Sequence, residues 1–252
     1  MMVESCQRMC MQCAIALVLL VGSVLPPAAR AGPPYLSDDP APTDYRHFEI
    51  YAFTDGSSSR AGQSGEAGID FNFGALPDLQ LTAVLPVAFD RPRGVRATVD
   101  LGNVQLAAKY RFVHEQRMGW DVAVFPRIFL PAGSAAVGAT QTSVFLPIWI
   151  GKTWGEWSTF GGGGCTLTRS NDARRACMGG WVVQRQVSGN LQLGGEIFSE
   201  GADSIDSRDS TRFGMGARYD FDDSVHLLAS VNTNLQRGPQ AYSWYSALHL
   251  TF

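Results

Sequence analysis

Charge is scarce in this chain. Asp, Glu, Lys and Arg make up 17% of its 252 residues, against about 25% in an ordinary soluble domain. Long apolar runs are missing as well. Beyond Ala31 no stretch approaches the roughly 20 residues that a membrane-crossing helix needs, which excludes a helical membrane protein. A net charge of −3 removes the electrostatic ground for nucleic-acid binding. The four histidines, His47, His114, His226 and His249, lack metal-ligand spacing, so no metal is expected. The run Gly161–Gly164 is not followed by Gly-Lys-Ser/Thr and is no phosphate loop; no cofactor is expected. Small residues there suit a strand that bends or is closely approached.

What is plentiful is glycine, at 27 residues, and aromatic side chains, at 11%. Ala14 to Leu25 is an apolar run broken only by Gly22 and Ser23, and Ala29-x-Ala31 after it is a small-x-small cleavage pattern. Residues 1–31 are therefore expected to be a signal peptide, with a weak basic region because Glu4 offsets Arg8; a retained anchor helix is the rival. Cys6, Cys10 and Cys13 precede the apolar run, which argues against a lipoprotein. Cleavage leaves Cys165 and Cys177 in an oxidising compartment. They flank a loop across which they could face each other, so a disulfide is expected, with two free thiols as the alternative. Residues 32–44 read as a Pro-rich periplasmic segment and 45–252 as one domain.

From Tyr45 onward the sequence alternates with period two, the strand pattern. Ala67, Ile69, Phe71 and Phe73 alternate with Glu66, Gly68, Asp70 and Asn72. Leu106, Ala108, Tyr110 and Phe112 alternate with Gln105, Lys109 and Arg111. Met215, Ala217 and Tyr219 alternate with Arg218 and Asp220. Twelve such segments can be counted. The two near Ser143–Gly151 and Trp157–Thr168 alternate poorly and cannot be phased. In the other ten the apolar face is free of Asp, Glu, Lys and Arg. Charges fall on the opposite face, and eight of them are the candidate lumen-lining residues: Glu49, Asp70, Lys109, Arg111, Arg127, Glu196, Arg218 and Asp220.

A soluble sandwich would alternate too; the connections distinguish them. Short turns (Gly74–Asp78, Val113–Gly119, Lys152–Glu156, Val187–Asn190, Asp222–Ser224) take turns with longer polar ones such as Asp55–Gly65, Asp90–Asp100 and Glu200–Ser210. That is the plan of an all-β, transmembrane antiparallel β-barrel of about 12 strands, with short periplasmic turns and longer extracellular loops. Phe73, Tyr110, Phe112, Trp120, Trp157, Tyr219 and Phe221 sit beside the short turns, where an interfacial girdle belongs. The eight inward charges then line a lumen or plug it. Pro126 and Pro147 stand mid-segment in neighbouring strands. Because proline cannot donate to a ladder, a bulge is expected there. It would be either a weakened seam open to an apolar solute or a harmless bulge packed by Phe125, Phe129 and Trp149.

The chain ends on Ser243-Trp-Tyr-Ser-Ala-Leu-His-Leu-Thr-Phe252. This resembles the C-terminal signature of Gram-negative outer-membrane proteins, which implies recognition by the barrel-assembly machinery through Trp244, Leu248, Leu250 and Phe252. The partners expected on that basis are outer-membrane lipids and lipopolysaccharide, the assembly machinery and a small-molecule solute.

Several motifs together resemble a family of outer-membrane transporters grouped around the meta-pathway of phenol degradation. They are Gly32-Pro-Pro-Tyr-Leu-Ser-Asp-Asp-Pro40, Lys109-Tyr-Arg-Phe112, Phe125-Pro-Arg-Ile-Phe-Leu-Pro-Ala-Gly133, Leu146-Pro-Ile-Trp149, Trp157-Ser-Thr-Phe-Gly-Gly-Gly-Gly164, Trp181-Val-Val-Gln-Arg-Gln186 and Leu193-Gly-Gly-Glu-Ile-Phe198. Cys165 departs from the pattern, standing where an aromatic is expected. The resemblance implies passage of small hydrophobic or aromatic compounds. A structural or adhesive barrel with a plugged lumen is the first alternative. An outer-membrane lipid hydrolase is the second, but His226 and His249 phase inward, away from the lipid face where such an enzyme needs its Ser–His pair, and no enzyme is expected.

Overall fold

The structure, a computed structural model, describes residues 34–135, 137–168, 176–202, 209–236 and 241–252. The signal-peptide expectation for residues 1–31 lies outside the described residues. The strands are β1 (Phe48–Ser58), β2 (Gly62–Leu76), β3 (Leu79–Pro92), β4 (Thr98–Leu101), β5 (Val104–Val113), β6 (Asp121–Val124) and β7 (Arg127–Leu130). They continue with β8 (Ser143–Trp154), β9 (Trp157–Thr168), β10 (Ala176–Ser188), β11 (Leu191–Glu200), β12 (Ser210–Asp220), β13 (Val225–Asn234) and β14 (Tyr242–Thr251). All ladder pairings between the strands are antiparallel, and β14 returns to pair with β1 from Glu49–Thr251 to Ser58–Tyr242. The sheet is closed, which leaves no free edge to be satisfied in lipid.

Fourteen strands make twelve spans. β4 and β5 both pair with β3 and are two pieces of one span, broken at Gly102-Asn103. β6 and β7 both lie between β5 and β8 and are likewise one span, broken at Phe125-Pro126. Tight connections at one end join β2 to β3, β8 to β9, β10 to β11 and β12 to β13, and a single helical turn α1 (Glu115–Met118) joins β5 to β6. At the other end two expected loops are mostly strand. Asp55–Gly65 shrinks to residues 59–61, and Asp90–Asp100 to residues 93–97. Period-two patterning fades there because the strands run on past the lipid, where neither face has to be apolar.

The alternation divides wall from lumen. Ile69, Leu85, Leu193, Met215 and Val231 point outward and are exposed, whereas Lys109, Glu196, His226 and His249 point inward and are buried. Tyr110, Phe112, Trp120, Trp157, Tyr219 and Phe221 are all exposed on the outer wall near the tight turns. The lipid side is not wholly free of charge, as the sequence had implied. Arg185 is exposed on the outer wall, 5.3 Å above the Trp157 ring and 2.8 Å from Glu156. It sits at the girdle, where a guanidinium reaches the headgroup layer.

The proline seam is also not as expected. Val124 pairs with Ile148 and Arg127 with Phe145, so the register across the break is continuous and there is no bulge toward β8. The Phe125 N–H donates to the Pro147 carbonyl at 3.3 Å, and Ala108 N–H to the Pro126 carbonyl at 3.2 Å. The strand that could not be phased explains this. β8 turns Phe145, Pro147 and Trp149 inward, where Phe145 and Trp149 form a buried cluster with Phe125, flanked by Phe129 and Met178. Packing on the inside replaces what the missing N–H groups withhold. Trp149 pairs with Gly162, whose φ of 144° belongs to glycine, and any Cβ there would strike the Ile148 carbonyl. Cys165 and Cys177 are direct cross-strand partners on β9 and β10 and are joined as a disulfide.

Candidate functional site: the lumen and the segment that crosses it

Residues 34–44 do not hang in the periplasm. They enter the barrel beside the tight turns, where the Arg46 N–H donates to the Gly74 carbonyl at 2.7 Å, and continue inward along the lumen. Their backbone has no ladder, so its buried polar groups must be answered otherwise. The Glu196 carboxylate of β11 accepts the N–H of Leu36 at 3.0 Å and of Ser37 at 2.7 Å. Gln80 of β3 accepts the Thr43 N–H at 2.8 Å, and Asp39 accepts the Ala41 N–H at 2.9 Å. Pro34, Pro40 and Pro42 lack N–H groups altogether and so leave fewer donors to be satisfied.

Charge fastens its centre. Asp38 lies 2.9 Å from Lys109 of β5 and 2.6 Å from Arg127 of β7, and Asp39 lies 3.6 Å from Lys109. Both cations also rest on the Phe125 ring, at 4.8 and 4.3 Å. On the opposite wall glycines make the seat. A Cβ on Gly180 would come within 2.5 Å of Ser37 Oγ, and one on Gly216 within 2.6 Å of the Tyr35 ring. At Gly194 it would strike the Tyr35 hydroxyl, and at Gly151 it would lie 2.8 Å from Pro40. Three neighbouring strands, β10, β11 and β12, and β8 beyond β9 thus give up side chains where the segment passes. Sequence reading missed this, although the signal was present: inward-phased glycines on consecutive strands.

Among the described residues, three cavities of about 200 Å³ or more follow the segment. The outer one, about 680 Å³, is walled by Asp55, Glu66, Asp90, Asn103 and Arg212 with Tyr35 at its floor. A middle chamber of about 200 Å³ is bounded by Asp38, Asp70, Asn72, Gln80, Thr82 and Arg127, with Tyr51, Phe125 and Tyr245 presenting rings. The inner one, about 750 Å³, opens by the tight turns between Asp44, Arg111, Glu115, Glu156 and Asp220. Tyr35, Leu36 and Tyr245 border both the outer cavity and the chamber, and Ala41 and Glu49 border both the chamber and the inner cavity.

The eight charges assigned to the lumen all face inward but separate into groups. Glu49, Asp70, Lys109 and Arg127 surround the chamber. Glu49 accepts from the Tyr51 hydroxyl at 3.0 Å, and Asp70 from the Asn72 amide at 2.9 Å. Arg111, Arg218 and Asp220 belong to the inner cavity. Arg218 lies 2.6 Å from Asp220, which also meets His226 at 2.7 Å. Glu196 is buried beneath the segment and meets no open space. At the turn itself Arg111 and His114 converge on Asp78 at 2.7 and 2.8 Å. Burial alone would raise that carboxyl, but hydrogen bonds from Arg111 and His114 and their charges hold it below its ordinary value. The His226 and His249 rings lie 5.0 Å apart inside the wall, tilted by 30°, and His249 lies flat on Tyr51 at 4.1 Å.

Residues 48–252 match the model of the family described as "Putative MetA-pathway of phenol degradation". The chain belongs to that family. No curated protein matches the sequence. Among solved structures the chain is similar to the COG4313 outer membrane channel from Pseudomonas putida F1, with a TM-score of 0.70 at 14% identity over 88% of this chain and all of that one. The KdgM porin gives a TM-score of 0.56 at 10% identity, covering 81% of this chain and 99% of that one. The translocator domain of the autotransporter NalP from Neisseria meningitidis gives 0.55 at 12%, covering 81% and 87%. At these identities the likeness establishes the fold, an outer-membrane β-barrel.

Proposed function

We propose that this family member is an outer-membrane channel through which small solutes, monoaromatic compounds among them, cross by passive diffusion along a polar lumen. The observation that carries this is the row of three cavities bordering one another past the N-terminal segment. Size sets the limit. The middle chamber, at about 200 Å³, exceeds the about 150 Å³ of an engineered cavity that holds benzene, so one ring fits and two do not. Its wall alternates rings with Asn72, Gln80, Thr82 and Asp70. Such a wall favours rings that carry hydroxyl or amine groups over plain hydrocarbons, which would leave these polar groups unpaired. Asp55, Glu66 and Asp90 outnumber Arg212 in the outer cavity, which favours neutral or cationic solutes over anions.

Conductance of the mature protein in planar bilayers, beside a variant lacking residues 34–44, tests the reading. The intact protein should pass small current with cation preference, and the deletion should raise conductance several-fold. Silence from both would favour the plugged structural barrel. Against the hydrolase reading stands the burial of His226 and His249 inside the wall, away from lipid. Against a lateral exit at the prolines stand the unbroken register on either side of the gap and the Phe125 N–H bond to the Pro147 carbonyl within it.

A further inference from the structure

The β1–β2 and β3–β4 hairpin tips at the extracellular end carry Arg60, Arg91, Arg93 and Arg96, all exposed, and none of the four has an ion-pair partner among the described residues. The tips are fastened together. Gly62 pairs with Pro92 and Gln63 with Arg91, and the Arg93 N–H donates to the Ala61 carbonyl at 2.7 Å. Arg60, Arg91 and Arg93 border a shallow open hollow of about 340 Å³. Of the carboxylates nearest in sequence, Asp55, Glu66 and Asp90 face the lumen and Asp100 accepts the Leu101 and Ser134 N–H groups, so the rim is basic on its outer side and acidic within.

Beneath the arginines the outer wall is apolar. On β3, Leu85 and Val87 share the outward face with Arg91, and on β4 Val99 and Leu101 continue it; all four are exposed. Val87 and Arg91 are four residues apart along one strand, about 13 Å at strand rise. An amphiphile whose acyl chains lie along this wall would bring its headgroup to the arginines. Guanidinium groups match phosphate oxygens in bidentate geometry.

We propose that Arg60, Arg91, Arg93 and Arg96 form a binding surface for the phosphorylated sugar headgroup of lipopolysaccharide, with Leu85, Val87, Val99 and Leu101 receiving its acyl chains. The hollow has no buried polar wall that would hold a free phosphate against water; the adjoining acyl surface is what distinguishes the lipid. Each arginine near such a surface is worth about fivefold in affinity.

The test is titration of the detergent-solubilised mature protein with bisphosphorylated lipid A and with its dephosphorylated form, read by native mass spectrometry. The wild type should prefer the phosphorylated lipid at least tenfold, and Arg60→Gln/Arg91→Gln/Arg93→Gln/Arg96→Gln should lose that preference while keeping the heat-modifiable gel mobility of a folded barrel. Should the quadruple variant fail to fold, Arg91→Gln alone should weaken the phosphorylated lipid about fivefold and leave the other unchanged. Equal affinity of wild type and variant overturns the proposal. So does complete displacement of the lipid by millimolar inorganic phosphate, which would mark a free-anion site.

Discussion

The segment in the lumen is held by charge, and Asp38→Asn tests how firmly. Asp38 is the shared partner of Lys109, whose side chain is 5% exposed, and of Arg127, at 19%. Removing one partner from a buried ion pair costs about 3–5 kcal/mol, because the other charge stays buried and unanswered. Two features place this case at the low end. Arg127 borders the middle chamber, where water can solvate it, and Asp39 already stands 3.6 Å from Lys109. A loss of about 3 kcal/mol raises the population of undocked segments by roughly two orders of magnitude. The remaining anchors, Glu196 on Leu36 and Ser37 and Gln80 on Thr43, make this a shift of equilibrium rather than a release.

Ser37 is fully buried under the segment's seat, so Ser37→Cys serves as the reporter; Cys165 and Cys177 are paired and silent. A charged maleimide added from the aqueous side should label Ser37→Cys about a hundredfold faster when Asp38→Asn is also present, and single-channel conductance should rise in parallel. Equal labelling rates would show that the ion pairs do not hold the segment. Faster labelling with unchanged conductance would show that the segment does not control the path.

Filling the glycine seat attacks the same docking from the wall. Gly180→Val should raise conductance toward that of the deletion while the protein still migrates as a folded barrel; unchanged conductance would mean that the segment tolerates the added side chain elsewhere. On the lipid face, Leu193→Arg should lower stability by about 2–4 kcal/mol if the site lies near the midplane, measured by urea unfolding in lipid vesicles, whereas Gln192→Arg on the lumen side should cost far less. Denatured, unreduced protein should show no reactive thiol, and Cys165→Ser should destabilise by about 3 kcal/mol for a loop of this size. The Asp78 knot gives a pH dependence. Because that carboxyl is held below its ordinary value, its stabilisation is present above about pH 4 and disappears as pH falls further. The difference in unfolding midpoint between wild type and Asp78→Asn should therefore close on acidification.

The barrel was legible because lipid enforces a local rule. Every second residue of a span must be apolar, so the outward phase of Ile69, Leu193 or Met215 follows from the residues beside them. Two segments resisted phasing for a physical reason. β8 is apolar on both faces because its inner residues, Phe145 and Trp149, pack against Phe125 and not against water. β9 is largely glycine at its centre, and glycine has no face. The rule also stops at the membrane boundary, which is why the strand ends beyond Asp55 and Asp90 read as loops.

The inward charges were identifiable by sequence, but their partners were not. Alternation shows that Lys109 and Arg127 enter the lumen. That both meet Asp38, a residue 71 positions from one and 89 from the other, depends on barrel closure and on the path of a segment that has no period of its own. Gly151, Gly180, Gly194 and Gly216 lie on four different strands, and only strand pairing aligns them into a single seat. Local patterning established a closed barrel of about twelve spans and the sidedness of most residues in the ten segments it could phase, because solvent and lipid act on each residue where it stands. Tertiary structure alone decided what occupies the lumen, because that contact joins elements whose proximity no local interaction encodes.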